Sequence, residues 1–88
     1  MVRIIVFGPG PDPTLHRQLL DRARAAAARF DDRVVMEEQE PLGELAAQMG
    51  LAGSPAIAVD GDVVCVRAAP SMRHLLAVVE RHVARTRD

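Results

Sequence analysis

The sequence predicts an α/β domain: a small mixed sheet with helices on both faces. Three observations carry that expectation. Val2–Phe7 (VRIIVF) is a nearly continuous apolar, β-branched run, the pattern of a central strand covered on both sides. Asp60-Gly61 joins two more apolar runs as a two-residue hairpin would. The remaining apolar residues recur largely at helical spacing.

Taken in order, the first strand spans Val2–Phe7 and is followed by a Gly-Pro-Gly-Pro-Asp-Pro-Thr loop, Gly8 to Thr14. Asp12 then Pro13 is a helix start, with a carboxylate to cap the first turn and a proline at the first helical position. Leu15, Leu19, Ala23, Ala26 and Phe30 form one core-facing stripe along that helix, and Arg17, Arg22, Arg24 and Arg29 lie mostly off it, on a solvated face. Asp31-Asp32 ends the helix. Arg33–Glu38 (RVVMEE) reads as a second strand whose acidic end suits a sheet edge. A short helix is expected over Pro41–Met49, broken by Gly50 and Gly53. Ala56–Val59 and Asp62–Val66 are the hairpin strands. Ser71 caps a last helix with Met72, Leu75, Leu76, Val79 and Val83 on its buried stripe, and Thr86–Asp88 are expected to fray. The order is β-α-β-α-β-β-α, a single domain over 1–88, with a parallel first pair of strands and a right-handed crossover.

Composition narrows function mainly by exclusion. A net charge of -1 leaves no electrostatic footprint for nucleic acid or an anionic membrane surface. No apolar run approaches the roughly 18 residues of a membrane span, and Met1 leads straight into a strand pattern, so neither a span nor a signal peptide is expected and the cytoplasm is the expected compartment. All eleven basic residues are arginine. With the Ala-rich helices this reads as the mark of a GC-rich, bacterial genome. It also removes Schiff-base and P-loop lysine chemistry, and with Phe7 and Phe30 as the only aromatics there is no platform for stacking bases. Cys65 is the only cysteine, so no disulfide forms within the chain. Three scattered histidines lack ligand spacing, and neither a metal nor another cofactor is expected.

Two blocks carry a family resemblance. Ser54-Pro55-Ala56-Ile57-Ala58-Val59-Asp60-Gly61 and Phe7-Gly8-Pro9-Gly10 resemble the small thioredoxin-like, glutaredoxin-sized proteins of bacteria and archaea, along nearly the whole chain. The resemblance implies a thioredoxin-like fold: a four-stranded mixed sheet with the first and last helices on one face and the middle helix on the other. It also implies a cis bond before Pro55, beside a Cys-x-x-Cys pair at the start of the first helix. Here the two cysteines align with Pro11 and Thr14. Dithiol exchange needs a thiolate to attack and a second thiol to resolve the mixed disulfide. Pro11 has no nucleophile, and Thr14 carries an alcohol, a far weaker acid than a thiol, without a neighbouring base. No catalytic residue is therefore assigned. The Gly-Pro loop also fails as a phosphate cradle, since Pro9, Pro11 and Pro13 remove backbone donors and Asp12 sets a negative charge at the helix start.

The expected function is a non-catalytic thioredoxin-like module that binds a protein or peptide, or itself, through a groove around Pro11, Asp12, Thr14, Ser54 and Pro55. One alternative is a single-thiol redox protein acting through Cys65, read here as a small core residue sharing its strand face with Val63, opposite Val64 and Val66. The other is a dimerising structural subunit. His16, His74 and His82 read as surface or boundary residues, and Glu37, Glu38, Glu40 and Glu44 as a solvated acidic face.

Overall fold

A computed structural model describes residues 1–40, 43–51 and 53–86. Its elements are β1 (Val2–Phe7), α1 (Pro13–Ala28), a 3-10 turn (Asp31–Arg33), β2 (Val34–Gln39), α2 (Glu44–Gln48), β3 (Ala56–Val59), β4 (Asp62–Val66) and α3 (Met72–Arg85). The strands form one open, mixed, four-stranded sheet in the order β2-β1-β3-β4. β1 and β2 are parallel, β3 is antiparallel to β1, and β4 is antiparallel to β3.

Period-two alternation along β1 explains its continuous apolar sequence. Val2, Ile4 and Val6 pack with Leu19, Ala23 and Ala26 of α1 and with Leu75, Val78, Val79 and Val83 of α3. Ile5 and Phe7 face the other way, into a smaller cluster with Ala46 of α2 and Ala56 and Ala58 of β3. The sheet is thus covered by α1 and α3 on one face and by α2 on the other. Arg3 shares the α2 face beyond the cover of that short helix and pairs with Glu37 at 3.2 Å.

Several boundaries differ from the sequence expectation. Arg33 belongs to the 3-10 turn, because Asp31 takes a positive φ of 54° and the Arg33 N–H donates to Phe30 O; the second strand therefore starts at Val34 and reaches Gln39. α2 is shorter than expected. Gly43 is its extended N-cap, while Pro41 and Leu42 lie outside the described residues. Gly50, at φ +66°, ends it, and the N–H groups of Gly50 and Leu51 satisfy Ala47 O and Ala46 O. Thr86 is tied down: its N–H donates to His82 O and Val83 O, and its hydroxyl to Val83 O at 3.0 Å. Arg87 and Asp88 lie outside the described residues.

β4 corrects the placement of Cys65. The β3–β4 ladder pairs Ile57 with Cys65 but Ala58 with Val63, leaving Val64 as an extra residue in a bulge. The pleat slips by one, so Val64 and Cys65 both pack toward the α1–α3 side and Val66 toward the α2 side. Cys65 and Val63 therefore do not share a face. Among the described residues no helix is long and apolar enough to cross a membrane.

Candidate functional site

Strand directions gather one set of loops at one end of the sheet. β1, β2 and β4 finish there and β3 begins there, which brings Gly8–Asp12, Gly53–Pro55 and Arg67–Ser71 to that end. Asp12 is the N-cap of α1, and its Oδ1 accepts the Leu15 N–H at 3.1 Å, so this carboxylate serves the helix start. Pro11 and Thr14 flank it, exposed.

The loops meet at Gly10. Its φ is +69°, and a Cβ built on it would stand 2.9 Å from Pro55 N and 2.9 Å from Ser54 Oγ. Only glycine permits so close an approach in that conformation. The Ser54–Pro55 peptide is cis, as the resemblance implies; Gly8–Pro9 is cis as well, which was not expected. Pro55 is buried and Ser54 half-buried. Among the described residues no hydrogen bond engages the Ser54 hydroxyl or the backbone of Gly53 and Ser54.

Ser54 and Pro55 are thus in contact with the β1–α1 loop through Gly10, and Pro11, Asp12 and Thr14 follow directly along that loop and into the first turn. Sequence reasoning missed three neighbours. Gly10 was seen only as part of the loop. His16 is half-buried, because its ring lies over Gly8: a Cβ there would be 2.3 Å from His16 Cδ2. Arg67 has a positive φ of 58°, donates its N–H to Pro55 O at 2.8 Å, and lays its guanidinium against Gly53, where a Cβ would stand 2.4 Å from Nε. No local signal marks Arg67, which reaches the site through the β3–β4 pairing.

Cys65 sits outside this loop cluster, half-buried opposite Ile57. Nor is His82 a surface residue. At the other end of the sheet it is buried against the hairpin, with Nε2 2.6 Å from Asp62 Oδ2 and Nδ1 3.3 Å from Asp60 Oδ2. A neutral ring has one N–H and can donate to one of these carboxylates; a ring carrying both protons satisfies both. Asp60 is itself anchored, its N–H donating to Arg3 O and its Oδ1 accepting from Arg3 N–H. Arg22 also leaves the solvated set, donating from Nη1 to Pro70 O at 2.7 Å and tying α1 to the β4–α3 loop.

Among the described residues, surface hollows lie away from the loop cluster, several of them against α3. One is beside Val83 and Thr86, and one is between α3 and Val63 and Val64 of β4. The loop cluster is the candidate site on its geometry: among the described residues it offers unpaired backbone groups, a hydroxyl without a partner and a guanidinium. Among the described residues no group of three or more His, Cys, Asp or Glu is placed to hold a metal ion. No protein-family model matches the chain, and no curated protein matches its sequence.

Proposed function

We propose that this chain is a thioredoxin-like module without the dithiol, binding an extended segment of a protein partner across Pro11, Asp12, Thr14, Ser54 and Pro55. The observation that carries the reading is the contact of Gly10 with Ser54 and Pro55. It sets the loop that would hold a Cys-x-x-Cys pair directly against a Ser-Pro turn whose preceding backbone is unpaired. Strand order and helix placement support it, since α1 and α3 cover one face and α2 the other. An extended segment laid beside Gly53 and Ser54 could take up their free N–H and C=O groups by strand addition, the mode in which main-chain hydrogen bonds supply affinity.

A photo-cross-linking residue at Thr14, compared with one at exposed Glu80, tests the reading in native cells. Capture of one partner from position 14 alone, lost on Ser54→Trp, is the expected result. Equal capture from both positions, or persistence in the Ser54→Trp variant, would overturn it. Insulin disulfide reduction should show no turnover.

A further inference from the structure

We infer that Arg67 is the specificity-determining residue of this groove, and that the segment it selects carries carboxylates: an acidic, extended peptide. The inference rests on the groove reading above and adds the chemistry of the occupant. Three residue types have positive φ among the described residues: glycine, aspartate and this single arginine. Glycine adopts that conformation freely and aspartate tolerates it through its short polar side chain, whereas a long side chain is held there against its backbone preference. Such an outlier, fixed by its surroundings, points toward function. Here the surroundings are the Arg67 N–H to Pro55 O hydrogen bond and the bare Gly53 backbone on which the guanidinium lies.

The position fits the role. β3 runs between β1 and β4, so Gly53–Pro55 is bracketed by Gly10 on one side and Arg67 on the other. Arg67 is exposed, and no carboxylate among the described residues pairs with it. Arg3, Arg24 and Arg22 already have partners in Glu37, Asp21 and Pro70 O. A planar guanidinium with its donors free is suited to bidentate capture of a carboxylate. Asp12, on the loop that follows Gly10, is engaged as the cap of its own helix, which leaves Arg67 as the basic group lying against Gly53.

The test is titration of the ¹⁵N-labelled 88-residue chain with three probes: a ten-glutamate peptide, a ten-residue Gly-Ser peptide, and free glutamate at matched carboxylate concentration. Deca-glutamate should shift the Gly10, Gly53 and Ser54 amides and the Arg67 Nε–H, and bind about tenfold more weakly to Arg67→Gly and Arg67→Gln. Arg85→Gln should leave its affinity unchanged. Arg67→Gly suits the left-handed backbone, so loss of binding with thermal stability kept or raised separates recognition from folding. Undiminished binding to Arg67→Gly, equal losses from Arg85→Gln, or an equal response to free glutamate would overturn the inference. If the Gly-Ser peptide shifts the same amides equally in wild type and Arg67→Gly, the groove stands and the carboxylate preference falls. Silence from every probe would sink both.

Discussion

At Gly10 a missing Cβ lets two loops touch, and at Gly8 and Gly53 the same absence makes room for the His16 ring and the Arg67 guanidinium. Gly10→Ala must both adopt φ +69° and push back the Ser54–Pro55 backbone, so it should destabilise the protein by about 1–3 kcal/mol in urea unfolding. Gly61→Ala, with open space around it, is the matched control and should cost far less. His82→Ala should cost about 1–2 kcal/mol, because it removes the buried ring that stands 2.6 Å from Asp62 and 3.3 Å from Asp60 and opens a gap under the hairpin; a change below about 0.5 kcal/mol, the range of ordinary surface substitutions, would contradict the pairing. Part of this was legible. His82 falls seven residues after Leu75 and three after Val79, on the buried stripe, so periodicity could have placed it inside. Its carboxylate partners could not be read, since they come from a hairpin twenty residues away. Arg67 was illegible for the same reason: its neighbours are long-range and its φ has no sequence signature.

Among the elements, helices with side-chain caps were the easiest to anticipate. Asp12 and Ser71 each accept an N–H three residues on, from Leu15 and His74. Asp12→Ala and Ser71→Ala should each cost about 1 kcal/mol of unfolding free energy, and Asp12→Asn should recover most of the loss. α2 was harder, because Gly43 delays its start and one turn of helix carries little periodic signal. β4 was misread in its pleat, although its limits match. Alternation assumes one residue per ladder step, and the bulge at Val64 breaks that assumption without any glycine or proline to announce it. A practical test follows from the corrected orientation. Cys65 packs toward the α1–α3 side, so a thiol reagent should label the native protein slowly and the urea-unfolded protein at the rate of a free thiol. Rapid native labelling would instead favour redox chemistry at this cysteine.

For the molecule as a whole, the two sides of the sheet are unequal. The α1–α3 side buries Val, Ile and Leu from three strands and two long helices, whereas the α2 side buries Ile5, Phe7 and three alanines, with Leu45, Met49, Leu51 and Val66 only partly covered around them. Amide exchange should be slowest in β1 and β3 and markedly faster in α2, and equal protection of α2 and α3 would refute that division. The overall order of elements was legible because each apolar run has its own period and punctuation, and short connections restrict how they assemble. What the loops do to one another was not, since close backbone approach depends on where the finished sheet sets its ends. The bulge has one more effect. Fibrils grow when a flat outer strand templates a copy of itself, and neither rim of this sheet offers one: Val64 interrupts the regular spacing on one side, and Glu38 with Glu40 brings repelling charge along the other. Concentrated solutions should stay clear, with thioflavin fluorescence flat over prolonged incubation.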